Sequence, residues 1–145
     1  MNEKYQLAIK TAFASEFSFY LKAHNFHWNV EGPLFKQLHD LFGVIYEEVY
    51  GSIDTFAENI RKMGTYTPAS LERFNMLTKV SDENGVPDYQ SMLRELLADS
   101  ERMTEIFRIT FDMAEANGDH GLSNFLADRQ DAHKKHSWQL RSSLK

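Results

Sequence analysis

The sequence predicts an all-α fold, a four-helix bundle with a short extra helix in the long crossover between helices two and three. Apolar residues recur at spacings of three and four over four long stretches. Short joints with turn residues link the stretches within each pair, whereas residues 65–87 separate the two pairs. Such a bundle needs one long crossover of this kind. At 145 residues, the chain (1–145) is expected to form one domain with a sizeable core.

The first half of the chain predicts two long helices. The apolar stripe of the first, over residues 2–30, contains Phe13, Phe17, Tyr20, His24 and His27. Gly32-Pro33 ends this helix, and the second follows over residues 34–63 until Gly64 stops it. The core stripe of the second helix comprises Phe35, Leu38, Phe42, Tyr46, Val49, Ile53, Phe56 and Ile60.

The second half predicts a small helix and two further long ones. The small helix covers residues 69–77 within the crossover, and the third long helix covers 88–116. Asn117-Gly118 ends the third helix, and Asp119 is expected to cap the fourth, over 119–144. The fourth helix is more polar, and its apolar residues are Phe125, Leu126, Ala132 and Leu140.

Composition excludes several classes of function. A formal net charge of −5 gives no electrostatic footprint for nucleic acid, although it suits attraction of cations. The absence of cysteine excludes disulfide scaffolds and thiolate metal sites. We find no signal-peptide pattern and no apolar run of membrane-spanning length, so we expect a soluble, cytoplasmic protein without a membrane partner.

Four residues carry the predicted chemistry: His27, His39, Asp54 and Glu58. One histidine on an apolar stripe is usually a hydrogen-bonded core residue, and an Asp–Glu pair one turn apart is usually solvated. His39 and Asp54 are separated by about 22 Å along one helix, so they cannot bind the same ion within one subunit. A two-fold axis across this flank would bring both carboxylates of one subunit to both histidines of another. Imidazole with carboxylate suits iron or another divalent first-row metal, and the spacing permits such a site without requiring it.

The chain resembles the Dps family of mini-ferritins, the DNA-protection-during-starvation proteins of the ferritin-like superfamily. The residues that carry the resemblance are His27-Trp28-Asn29-Val30-Glu31-Gly32-Pro33, Phe35, Leu38-His39, Tyr46 and Asp54-x-x-Ala57-Glu58-x-x-Arg61. The small crossover helix matches the family, as does the fourth helix, from Asp119 through Leu126 to Trp138-Gln-Leu-Arg141. The resemblance therefore covers nearly the whole chain.

This resemblance implies a homo-oligomer, a hollow dodecameric shell that oxidises Fe(II), usually with hydrogen peroxide, and stores the ferric mineral. It implies protection against oxidative damage and ferroxidase sites at two-fold interfaces. His27 would bind the first iron with Asp54 and Glu58 of the neighbouring subunit. His39 would help to hold the second iron, with Glu58 bridging. Trp28 would either intercept oxidising equivalents beside the site or pack in the interface.

Gly43 departs from the family pattern, which usually has an acidic ligand one turn after the second histidine. Either two helices approach closely at this glycine, or a ligand is lost and the second iron site is weak, or both. Asp40 and Glu47 lie on the same flank and could supply a replacement or water-bridged ligand. We expect the first site to bind iron well and the second only transiently.

Other polar residues have less specific interpretations. His24 is expected to support or pack against the site rather than to bind metal directly. His120, His133 and His136 are expected at the surface or in an interface. Asp128, together with Asp119 and Asp131, could line a pore through which iron enters, or these residues could be a helix cap and solvated charges.

Two alternatives to an iron-oxidising enzyme remain. One is a non-catalytic shell that sequesters metal, and the other is a nucleoid-associated shell, each with a degenerate second iron site. Family members that bind DNA directly commonly use lysine-rich terminal extensions. Here the helical pattern begins directly after MNEK, and the chain ends at Arg141-Ser-Ser-Leu-Lys145. We therefore expect no appreciable direct binding to DNA.

Overall fold

Five helices form the structure, a computed structural model that describes residues 2–145. They are α1 (Glu3–Asn29), α2 (Phe35–Lys62), α3 (Leu71–Leu77), α4 (Tyr89–Ala116) and α5 (His120–Ser143). Each long helix begins and ends within one residue of its predicted bounds, and α3 begins two residues later than predicted. The predicted all-α class is confirmed, and residues 2–145 contain no strand. Met1, the first residue of the predicted domain, lies outside the described residues.

Local sequence signals explain where the helices begin and end. The side chains of Asn2, Ser70, Asp88 and Asp119 each accept a hydrogen bond from a main-chain N–H in the first turn of the helix that follows. The predicted stop at Gly64 is confirmed: α2 ends at Lys62, and Gly64 then adopts a φ of 88°, a conformation that favours glycine.

The helices pack as two antiparallel hairpins joined by the crossover. Helix α1 packs against α2, and α4 packs against α5. The hairpins join through contacts of α1 with α4 and of α2 with α5, which closes the predicted four-helix bundle. Helix α3 lies on the outside of α1, where the Phe74 ring is 4.6 Å from the Phe17 ring. No helix within residues 2–145 combines the length and the hydropathy that a membrane crossing requires.

The predicted stripe of α1 is displaced from its true core face. Phe13 is buried, but Phe17, Tyr20, His24 and His27 are only partly buried. The fully buried face carries Ile9, Ala12, Phe19, Ala23 and Phe26. Helix α1 contacts α2, α3 and α4, so its buried face is wide. The helical spacing of apolar residues identifies this face, but it does not distinguish residues at its centre from residues at its edge. His24 and His27 lie at the partly buried edge of this face.

Candidate metal centre

His27 and His39 meet where the Gly32-Pro33 break turns the chain from α1 into α2. The Nδ1 atom of each ring lies 2.7 Å from the main-chain carbonyl oxygen of the other residue. The two rings are stacked, with centroids 3.8 Å apart and planes 18° from parallel. A carbonyl oxygen only accepts hydrogen bonds, so both Nδ1 atoms carry a proton and donate it. With the proton at Nδ1, Nε2 is the ring nitrogen left to bind a metal, and the bond at Nδ1 fixes the orientation of the ring.

Gly43 lies directly beneath the His27 ring. A Cβ atom at this position would be 3.1 Å from both Cε1 and Nδ1 of His27, which is tighter than ordinary van der Waals contact. Gly43 is itself buried within α2. The geometry supports the close-approach interpretation of this glycine, because a larger residue would have to displace the ring. The loss of an acidic ligand here stays a prediction.

Asp54 and Glu58 lie further along α2 and are both exposed. Within residues 2–145, neither carboxylate takes part in a hydrogen bond or an ion pair. They are one helical turn apart on α2, and their role as metal ligands stays a prediction. In the part of the chain that the structure describes, no group of three or more His, Asp or Glu side chains is arranged to hold a metal. One chain therefore brings the two histidines together, but not the histidines with these carboxylates.

His24 packs between two aromatic rings beside the histidine pair. Its ring is stacked on Tyr46 at 3.8 Å and 9°, and it lies 3.7 Å from Trp28. The Tyr20 hydroxyl is 2.9 Å from His24 Nδ1. Burial and the nearby His27 lower the pKa of His24, which favours its neutral form. These contacts agree with the predicted supporting role of His24, and Trp28 remains 59% exposed on the outer side.

The auxiliary acidic residues are at the surface. Asp40 is exposed and pairs with Lys36 at 3.1 Å. Glu47, Asp128 and Asp131 are also exposed, so the predicted ligand and pore roles of Glu47 and Asp128 stay predictions.

Asp119 and His120 fit their simpler interpretations. The Asp119 side chain caps α5, as predicted, and also accepts a hydrogen bond from the Tyr5 hydroxyl at 3.1 Å. His120 is exposed and lies 3.2 Å from Glu115, in agreement with the predicted surface position.

The expectation for His133 and His136 is wrong, because both are buried. They belong to a bundle-centre network that comprises Glu16, Glu48, Arg129, His133 and His136. Arg129 donates to Glu16 at 2.9 Å and to Glu48 at 2.6 Å. His133 Nε2 lies 2.8 Å from Glu16, and His136 Nε2 lies 2.8 Å from Glu48. Burial of these histidines is possible because each has a carboxylate partner.

Charge is well compensated in the bundle-centre network. Burial alone would raise the pKa of Glu16, but His133 and Arg129 lower it on balance and keep this buried carboxylate ionised. Burial also opposes ionisation of Glu48, but hydrogen bonds from His136 and Arg129 lower the pKa of Glu48 to about 2. Burial lowers the pKa of His133, so its ring is neutral.

The serine hydroxyls of α4 and α5 complete the polar centre. The Ser100 hydroxyl lies 3.0 Å from Nδ1 of neutral His133 and can donate to it, and Ser137 donates to Ser100 at 2.9 Å. This polar centre was not predicted because its members come from all four long helices: Glu16 from α1, Glu48 from α2, Ser100 from α4 and Arg129 from α5. The only signal was Arg129, His133 and His136 at spacings of four and three, which puts them on one face of α5.

Comparison with known proteins agrees with the fold. A family model described as a ferritin-like domain matches residues 6–145. A DNA protection during starvation protein of Brevibacillus brevis is 30% identical over 125 residues, which cover 86% of this chain and 84% of that protein. The Dps structure from Thermosynechococcus elongatus superposes with a TM-score of 0.95 and 26% identity, and the match covers 99% of this chain and 91% of that chain.

A Dps structure from Vibrio cholerae O1 superposes with a TM-score of 0.93 at 25% identity, over 99% of this chain and 90% of that chain. That protein is described as a member of a broad superfamily of ferritin-like diiron-carboxylate proteins. Fold and family model together define the class as ferritin-like. Within that class, the chain belongs to the Dps family of mini-ferritins.

Proposed function

We propose that this protein is a ferroxidase and an iron-storage mini-ferritin. Fe(II) is its substrate, hydrogen peroxide its oxidant, and the ferric mineral is stored inside a hollow shell of identical chains. The observation that carries the proposal is the pair of hydrogen bonds between His27 and His39. They hold the two imidazole rings in a stack and leave the Nε2 atom of each ring available to bind a metal.

The remaining ligands come from a second copy of the chain. Asp54 and Glu58 of one subunit bind the first iron together with His27 of the other. His39 holds the second iron, and Glu58 bridges the two ions. Imidazole and carboxylate ligands suit Fe(II), and the carboxylate charges favour Fe(III) once the electron has left. Peroxide takes one electron from each of two Fe(II) ions and, with two protons, becomes two waters.

Family membership supports the rest of the proposal. The relatives named above are Dps proteins, one of them described as a ferritin-like diiron-carboxylate protein. We propose that the whole chain, 1–145, forms one ferritin-like domain and that twelve chains assemble into the shell. Its role in the cell is protection against oxidative damage. A chain without cysteine suits a reducing cytoplasm. We propose no direct binding to DNA. Retardation of plasmid on a gel at moderate salt, without added metal, would contradict this expectation.

Complementation between two inactive variants tests the inter-subunit site. One variant carries His27→Ala and His39→Ala, and the other carries Asp54→Ala and Glu58→Ala. Each alone should fail to accelerate Fe(II) oxidation by peroxide. In a mixed dimer, one of the two sites receives its histidines and its carboxylates from intact positions. Random co-assembly makes half of the dimers mixed, so about a quarter of the sites should be active.

Co-expression with two different affinity tags isolates the mixed shells. Asp112→Ala, which removes an exposed carboxylate from α4, is the matched control and should retain full activity. Recovered oxidation in the mixed shells supports a site shared by two subunits. Mixed shells as inactive as either variant would contradict it, because a site within one chain cannot be rescued in this way.

The second candidate function is a non-catalytic metal-sequestering or nucleoid-associated shell. Gly43 favours it, because no acidic side chain is present one turn after His39. Anaerobic addition of Fe(II) followed by peroxide, monitored by near-ultraviolet absorbance, separates the two functions. Oxidation no faster than that of protein-free iron would favour the non-catalytic shell.

A further inference from the structure

A continuous array of rings leads away from the histidine pair along α1 and α2. We call Tyr20, His24, Trp28, Tyr46 and Tyr50 the aromatic array. The Tyr46 ring centroid is 5.1 Å from that of His27. His24 stacks on Tyr46 at 3.8 Å, and its ring lies 3.7 Å from that of Trp28. The Tyr20 ring lies 4.8 Å from that of Tyr50 and 6.2 Å from that of Tyr46. An electron can therefore pass between Tyr20 and a metal held by His27 in short steps between neighbouring rings.

Tyr20 differs from the other tyrosines of the array because its hydroxyl meets an imidazole nitrogen, His24 Nδ1, at 2.9 Å. A phenol that loses an electron becomes a strong acid and must release its proton at once. In the tautomer that carries its proton on Nε2, His24 Nδ1 can accept that proton through the existing hydrogen bond. The pair is thus built so that an electron and a proton can leave Tyr20 together. Both side chains are partly buried, which shields a tyrosyl radical from bulk solvent.

A second electron donor is needed because Gly43 stands where the family usually has an acidic ligand for iron. Peroxide accepts two electrons, but a site whose second iron binds only transiently often holds a single Fe(II), which supplies one. Without a further donor, one-electron reduction of peroxide releases a hydroxyl radical. A side chain that gives the missing electron completes the reduction to water.

We propose that Tyr20, with His24 as its proton acceptor, supplies the second electron for peroxide reduction when one Fe(II) occupies the site. This inference rests on the proposed ferroxidase function. In the step, Fe(II) becomes Fe(III) and Tyr20 becomes a neutral tyrosyl radical. The Tyr20 proton moves to His24, the O–O bond of peroxide breaks, and two protons from solvent complete two waters. A later Fe(II) ion can reduce the radical, with return of the proton from His24.

The experiment uses the assembled protein, loaded anaerobically with less than one Fe(II) per site and then mixed with peroxide. Freeze-quench electron paramagnetic resonance should detect a tyrosyl radical, whose hyperfine pattern changes when ring-deuterated tyrosine is incorporated. In the first turnover, one Fe(III) should form for each peroxide consumed, rather than two. Tyr20→Phe keeps the ring but removes the hydroxyl, and the radical should disappear. His24→Phe keeps a stacked ring without a proton acceptor, and the radical yield should fall strongly.

Two tyrosine controls identify the radical site. Tyr46→Phe keeps the stack on His24, and Tyr66→Phe alters an exposed tyrosine outside the aromatic array, so both should retain the radical. The inference is overturned if iron oxidation proceeds without a tyrosyl radical, or if the radical survives in Tyr20→Phe. If peroxide oxidises no Fe(II) at all, the ferroxidase proposal fails first and the inference fails with it. Circular dichroism and assembly mass verify that each variant is folded.

Discussion

His27 and His39 anchor each other through the main chain: each ring donates to the carbonyl oxygen of the other residue at 2.7 Å. A main-chain carbonyl oxygen stays in place when the side chain of its own residue is replaced. Each histidine can therefore be removed while the other keeps its hydrogen bond, which allows the two ligand positions to be tested separately.

His39→Ala should leave the first iron position intact and remove the second. The carbonyl of residue 39 still accepts from His27 Nδ1, so the orientation of the His27 ring is retained. Anaerobic Co(II) titration, followed by visible absorption, should show loss of the weaker binding event with the stronger one preserved. His27→Ala should give the reverse pattern and abolish the stronger event. Equal loss of both events in His39→Ala would contradict two separable positions.

Gly43→Ala should weaken metal binding at His27. The added Cβ would lie 3.1 Å from the ring and force it to move. Gly51→Ala on the same helix is the matched control, because no atom lies within 4 Å of its added Cβ. The control should gain up to about 1 kcal/mol from helix propensity. Gly43→Ala should gain less, or lose stability, as measured by urea unfolding, and its Co(II) affinity should fall while that of Gly51→Ala is unchanged.

Arg129→Ala should strongly destabilise the bundle. Arg129 is 4% exposed and neutralises Glu16, which is fully buried, together with Glu48. Removal of one partner from a buried ion pair costs about 3–5 kcal/mol. Arg102→Ala, on the exposed face of α4, should change the free energy of unfolding by less than about 0.5 kcal/mol. A similarly small effect of Arg129→Ala would show that the bundle-centre network contributes little to stability.

Stability should fall as the pH falls, in two windows. The buried His133 resists protonation, whereas the unfolded residue takes a proton near its ordinary pKa of 6.5, so stability declines below that value. The unfolded Glu48 is protonated near its ordinary pKa of 4.5, but the folded one only near its lowered pKa of about 2. In both windows the unfolded state binds more protons, which is why acid favours unfolding.

Glu48→Gln tests how much Glu48 contributes to the second window. Its free energy of unfolding should be lower than that of the wild type above the window, and should depend less on pH between about 4.5 and about 2. Denaturant titrations at a series of pH values measure this slope. Glu47→Gln removes the neighbouring exposed charge and should follow the wild-type curve. If Glu48→Gln kept the full wild-type slope, the lowered pKa would not be the source of the acid sensitivity.

The sequence by itself determined the helices and their order. Periodicity located the long helices, Gly32-Pro33, Gly64 and Asn117-Gly118 located the breaks, and Asp119 was predicted as a cap. These features depend on contacts between residues that are near in the chain, so local rules describe them. The same rules placed the four candidate ligands on their helices and showed that one chain cannot bring them all together.

Only the tertiary structure decided the environment of particular side chains. The burial of His133 and His136 depends on carboxylates that approach from α1 and α2, more than 80 residues away in the chain. The reason for Gly43 became visible only with the His27 ring packed on it. The free Nε2 atoms of the two histidines follow from hydrogen bonds that span the α1–α2 turn. Each of these features depends on the distance between atoms of different helices, which packing sets and residue spacing does not.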